Sequence, residues 1–220
     1  MSYQHQYQDG TAVGLPLGKV VCVGRNYADH AAELNNPIPT EPMLFIKPAS
    51  SVVPMAQPFR LPTGHGSVHF ETEMAILIGQ PLSHATEAEA AAAIAGVGLA
   101  LDLTLRDLQG KLKEKGHPWE KAKAFDGACP LSAFVAAGAV ADLQNLQIRL
   151  RVNGEVRQDG NSSHMLNKVL PLISYISDFF SLQPGDVVLT GTPAGVGPVV
   201  AGDQLKVGLG DLLEVETSAV

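Results

Sequence analysis

A chain of 220 residues with 45% hydrophobic and 17% charged side chains can bury a sizeable core, which excludes a disordered chain, and no apolar run approaches the ~20 residues of a membrane span. A net charge of −7 argues against nucleic acid or anionic membrane as partners, since both call for a basic surface. Two isolated cysteines, Cys22 and Cys129, provide neither a disulfide framework nor a Cys-type zinc site, and read as buried thiols of a soluble cytoplasmic protein.

Residues 1–18 are polar and Gln-rich, lack the basic and apolar regions of a signal peptide, and are expected to be loosely ordered; residues 19–220 read as one catalytic domain. "KVVCVG" has the continuous apolar character of a buried strand. "RNYADHAAELNNP" reads as a short helix closed by Asn-Asn-Pro, with His30 and Glu33 three apart on one face. A carboxylate holding one imidazole nitrogen leaves the other to act as a general base, although the same pair occurs on many surface helices. "MLFIKP" is a strand stopped by Pro48. In "VHFETEMAILIG" the period of two puts Glu71 and Glu73 on one face that turns apolar at Ala75 and Leu77. At ~6 Å and an effective dielectric of ~20 the two carboxylates repel by about 3 kcal/mol, a term that a divalent cation reverses.

"SHATEAEAAAAIAG" is an Ala-rich helix that Ser83 or Thr86 can cap. Residues 97–103 read as a buried strand carrying Asp102, and Leu105, Leu108 and Leu112 as one face of a helix ending near Gly116. Asp102 is either a third acidic ligand or the partner of Arg106 one turn on. In "EKAKAFDGACP" alternation lets only one of Lys121 and Lys123 face a site, and each can equally be an ordinary solvated lysine. "IRLRVNGEVRQDG" is a hairpin with the type I′ pair Asn153-Gly154, and Pro171 opens a helix that turns Leu172, Ile176 and Phe179 or Phe180 inward. "TGTPAGVGP" lacks the Gly-Lys-Ser/Thr of a phosphate loop, but its N–H groups and threonines can grip a carboxylate. Strands outnumber helices without alternating with them, which predicts an α+β, predominantly antiparallel sheet rolled into a barrel-like form.

Three carboxylates without a Cys or His pair specify a hard, oxygen-loving ion, Mg²⁺ or Mn²⁺, with Glu71, Glu73 and Asp102 as ligands and His69 as a neighbour able to join them. "CVGRNYADHAAE", "FETEMAILIG", "LALDLTLRDLQ", "KAFDGACP", "VNGEVRQDGN" and "LQPGDVVLTGTPAGVGP", in this order, resemble the fumarylacetoacetate hydrolase family in its short single-domain branch, from about Lys19 to the C-terminus. The resemblance implies a mixed β-roll, a homodimer and a Mg²⁺ or Mn²⁺ site on those same three carboxylates. It also implies His30 and Glu33 as a water-activating dyad and Lys123 as the catalytic lysine beside the ion. Arg25, Arg106, Gln109 and Thr192 then bind a small 2-keto acid.

Such a site stabilises an enolate. The expected reaction is hydrolytic C–C cleavage of an acylpyruvate, such as fumarylpyruvate, to pyruvate and a carboxylic acid. The alternative is decarboxylation or keto–enol tautomerisation of oxaloacetate, which uses the same enolate without water as nucleophile. A non-catalytic protein stapled by its ion is a third class; it predicts a melting temperature that metal raises and no 2-keto acid raises further.

Overall fold

The computed structural model describes residues 3–33 and 37–220. Its frame, among those residues, is an eight-stranded mixed sheet curled into a half-barrel. Across it run Met43–Lys47, Val20–Gly24, Val187–Leu189, Thr72–Ile78, Ile94–Leu101, Cys129–Leu131 and Val52–Pro54, while Val135–Ala136 also pairs with Ile94–Leu101. Two pairings are parallel, Val20–Gly24 with Val187–Leu189 and Val52–Pro54 with Cys129–Leu131; the rest are antiparallel. A four-stranded antiparallel sheet holds the hairpin Gln147–Val152 and Glu155–Asn161 beside Gln204–Leu209 and Leu213–Ser218. A three-stranded sheet joins Gly197–Pro198, Val68–Phe70 and Thr104–Leu105.

The central strands are apolar throughout because both of their faces are covered. Val21 and Val23 enter the larger core with Met74, Ile76 and Leu99, while Val20 and Cys22 face a second cluster with Ala75, Leu77, Cys129 and Phe134. Both cysteines are buried free thiols. The Asn153-Gly154 turn has φ of 51° and 85°, the left-handed pair that a type I′ hairpin requires.

The helices are α1 (Ala28–Glu33), α2 (Glu87–Ala93), α3 (Arg106–Glu114), α4 (Glu120–Lys123) and α5 (Val169–Phe179). None is long and apolar enough to cross a membrane. The Asn-Asn-Pro closure expected for the first helix falls partly on residues 34–36, outside the described residues. Helix α5 begins two residues before Pro171, and it is Phe180, not the 62%-exposed Phe179, that packs on the core. Helix α2 starts from a reciprocal cap: Glu89 N–H donates to Thr86 Oγ1 while the Glu89 carboxylate accepts from Thr86 N–H. Thr86→Ala is expected to cost about 1 kcal/mol, read as a lower denaturant midpoint at unchanged slope.

Residues 3–18, expected to be loose from their polarity, lie over the second cluster instead. Their apolar side chains recur at alternate positions, and Tyr3, Tyr7, Val13, Leu15 and Leu17 pack against it. His5 is buried, with Tyr3 and Phe134 edge-on to its ring, and its Nε2–H donates to Gly185 O at 3.0 Å. Burial holds the His5 imidazole below its ordinary pKa, against the opposing pull of the Gly185 and Pro16 carbonyls. The unfolded chain therefore binds this proton more readily, so His5 contributes stability above pH ~6.5 that is lost as the pH falls. Denaturant midpoints measured between pH 7.5 and pH 5 are expected to fall more steeply for wild type than for His5→Gln; parallel curves would contradict this.

Candidate metal centre and substrate cavity

The first carboxylate sits where the chain changes sheets. Val68–Phe70 belongs to the small sheet and Thr72–Ile78 to the large one, so Glu71 occupies the break between two strands, not one face of a continuous strand. Glu73 lies one step into the large sheet. Asp102 follows directly on Ile94–Leu101, whose antiparallel register pairs Leu101 with Thr72, and Asp102 N–H donates to Glu71 O at 2.8 Å. This pairing brings Asp102 to Glu71 and Glu73 from a distant point in the sequence. All are buried, and each offers an oxygen within 4.8 Å of the others.

Buried cations surround them. Lys123 on α4 donates to Glu71 Oε2 at 2.8 Å and to Asp102 Oδ2 at 2.6 Å, while Lys121 is exposed. Burial pulls the Lys123 ammonium down, but Asp102 and Glu71 together outweigh it and hold the pKa above the ordinary lysine value. For Glu71 burial works upward and is overcome by Lys123 and then Arg106, which keep its carboxyl well below the usual range. Arg106 forms an ion pair with Glu71 and donates to Gln109 Oε1 at 2.7 Å. The Asp102–Arg106 pairing considered from the sequence does not form; Asp102 pairs with two lysines. The second is Lys47, fully buried at the end of Met43–Lys47, with its Nζ 2.7 Å from Asp102 Oδ1 and donating to the carbonyls of Lys123 and Ala128.

Glu73 differs from the other two. It accepts a hydrogen bond from Gly191 N–H at 2.6 Å and makes no ion pair among the described residues. Burial, then the neighbouring Asp102 and Glu71, push its carboxyl well above the ordinary range. Three oxygen donors, one of them lacking a cation, fit a hard divalent ion at this position. His69 is half-buried and outside the cluster.

Helix α1 brings His30 over the same cavity, buried, with Nδ1 3.4 Å from Glu33 Oε2. Glu33 in turn accepts from Gly195 N–H at 3.1 and 3.2 Å. The loop after Val187–Leu189 thus does grip carboxylates, those of the protein itself. Glycine is required at both grips: Gly191 has φ of 91° and Gly195 of 96°, and a Cβ at Gly195 would stand 1.9 Å from Arg157 O. Thr192 lines the cavity, yet its hydroxyl donates to Thr72 O and accepts from Gln158 Nε2, a buried amide that also receives Thr72 N–H. Arg25, Arg106 and Gln109 line the cavity as well. Arg25 holds φ of 58°, and the next residue, Asn26, fixes the turn through Thr190 O, Asn167 O and Asn167 N–H. Lys47, Gln158 and Asn26 are supporting residues that sequence reasoning missed. Of these, Lys47 alone interrupts an apolar run, and Gln158 and Asn26 lie among other polar residues with no signal of their own.

Comparison with known proteins places these features in a lineage. Residues 19–220 match the family model described as fumarylacetoacetate (FAA) hydrolase C-terminal. The chain is 55% identical over 206 residues to oxaloacetate tautomerase YcgM of Escherichia coli, covering 93% of this chain and 94% of that protein. It is 43% identical over 197 residues to the mitochondrial oxaloacetate tautomerase FAHD1 of Bos taurus, covering 90% and 89%. Fumarylpyruvate hydrolase from Pseudomonas aeruginosa, solved in complex with Mn²⁺ and pyruvate, superposes with a TM-score of 0.93 at 36% identity, covering 100% of this chain and 96% of that one. The chain belongs to the fumarylacetoacetate hydrolase family.

Proposed function

We propose that the protein interconverts the enol and keto forms of oxaloacetate. The observation that carries this reading is the 55% identity, over nearly the whole chain, to an oxaloacetate tautomerase. It reverses the order expected from the sequence, in which acylpyruvate hydrolysis stood first and oxaloacetate chemistry second. The charge count fits a doubly charged substrate of either reaction: three carboxylates, of which Glu73 pairs with no cation among the described residues, and the three cations Lys47, Lys123 and Arg106 sum to zero, so a divalent ion adds two positive charges.

Glu71, Glu73 and Asp102 would hold Mg²⁺ or Mn²⁺, which supplies Lewis-acid polarisation of a 2-keto acid's carbonyl when bound. Lys123, kept protonated by its two carboxylates, serves as a fixed positive charge and not as a base; it stabilises the oxygen on which negative charge develops. That leaves His30 to move the proton. With Glu33 on Nδ1, the other ring nitrogen takes the proton from C3 of the keto form and delivers it to the 2-oxygen to give the enol, and the reverse transfer restores the keto form. Arg106, oriented by Gln109, binds the carboxylate next to the carbonyl.

The test is decay of enol-oxaloacetate absorbance with Mg²⁺ or Mn²⁺, run beside acetylpyruvate hydrolysis. His30→Ala is expected to slow tautomerisation by about 10²-fold or more. A wild type that hydrolyses acylpyruvates and leaves the enol untouched would overturn the reading. Hydrolysis is retained as a second reading because the His30–Glu33 pair is also a water-activating arrangement.

A further inference from the structure

Helix α3 presents more than the two residues that the family resemblance assigns. Arg106, Gln109 and Lys113 stand at i, i+3 and i+7, one stripe of a 3.6-residue helix, and all three line the cavity. Two turns carry Lys113 roughly 10 Å along the axis from Arg106. Arg106 reaches buried Glu71, whereas Lys113 is exposed, so the stripe runs from the ion seat outward to the cavity mouth. Arg25 lines the same cavity from the strand side, held by the left-handed turn that Asn26 locks. The Lys113 ammonium is held below its ordinary pKa by burial and then by the charges of Arg25 and Arg106, the signature of cations gathered at one opening.

We infer that Lys113, with Arg25, is the specificity element for the second carboxylate of a 2-keto dicarboxylate, selecting it over monocarboxylate 2-keto acids. Like-charged groups facing one opening repel, and an anion between them turns that repulsion into two charge-assisted hydrogen bonds. The two ends of the substrate are then read by different parts of one helix, the 2-keto acid end at Arg106 and the distal carboxylate at Lys113. The inference rests on the cavity being a 2-keto acid site; it does not require that tautomerisation be the reaction.

Pyruvate and oxaloacetate differ by this one carboxylate, so they are the probes. Calorimetric titration of the Mn²⁺-loaded protein with each ligand is expected to show that Lys113→Met weakens oxaloacetate about tenfold and pyruvate less than twofold. Lys113→Arg, which keeps the charge, is expected to restore the preference. Equal weakening of both ligands, or of neither, would overturn the inference. The outcomes separate it from the proposed reaction: a wild type that binds oxaloacetate tightly without tautomerising it refutes the tautomerase alone. A tautomerase whose oxaloacetate preference survives Lys113→Met refutes this inference alone.

Discussion

Glu73→Gln is expected to lower the proposed tautomerase activity by about 10³-fold while leaving the ion-free protein as stable as wild type or more so. Glu73 would help hold the ion that polarises the reacting oxygen, and loss of such a preorganised positive charge has effects of this size. The fold is spared because Glu73 is the carboxylate without an ionic partner among the described residues, whereas Glu71→Gln removes the carboxylate partner of Arg106 and one of the two of Lys123, and Asp102→Asn removes that of Lys47 and the other of Lys123. An amide at position 73 can still accept the Gly191 N–H, and it removes the repulsion from Asp102 and Glu71 that pushes the native carboxyl upward. Melting curves with and without Mn²⁺ check this directly. Wild type should gain stability with the ion and the variant should not. A variant that still responds to Mn²⁺ and retains activity would show that the ion sits elsewhere.

The largest effect on the fold itself is expected at Lys47. Its ammonium is fully buried, 2.7 Å from Asp102 Oδ1 and donating to the carbonyls of Lys123 and Ala128, so Lys47→Met removes one of the two lysines paired with Asp102 and the side-chain donor to Lys123 O, while Ala128 O keeps Leu103 N–H. Removing one member of a buried pair costs about 3–5 kcal/mol. In a chain of this size that is a fall of about 10 °C in melting temperature. Lys47→Met combined with Asp102→Asn should cost less than the sum of the two single changes, since both remove the same ion pair. A single variant as stable as wild type would mean that Lys47 contributes nothing net.

The sequence reveals most where the chemistry is local. Asn153-Gly154 announces a type I′ turn because only a few residues tolerate two consecutive positive φ values, and both occur. A cap at Ser83 or Thr86 was legible from side chains that accept a backbone N–H, and Thr86, with Glu89, forms it. The carboxylate cluster was legible as a grouping but not as a geometry. Alternation suggested a continuous strand face, whereas the residues meet because Glu71 sits at a change of sheet and Asp102 at the end of the neighbouring strand. Lys47 was illegible: a lysine before Pro48 reads as the solvated end of an apolar strand, and its partner lies 55 residues on. The N-terminal segment misled through its average polarity, which hid the alternation of Val13, Leu15 and Leu17. Hydrolase and tautomerase could not be separated from motifs, because both reactions use the same side chains.

The loop from Gly191 to Gly195 holds Glu73 at one end and Glu33 at the other, so the candidate ion ligand and the helix that carries His30 hang from a loop whose two ends admit only glycine. Helix α3 meets the cavity along a single stripe whose outer end, at Lys113, is exposed. This divides the molecule into a part that cannot drift and a part that can. New substrates would then be acquired across a lineage by changes along one helical stripe, with the enolate chemistry inherited intact.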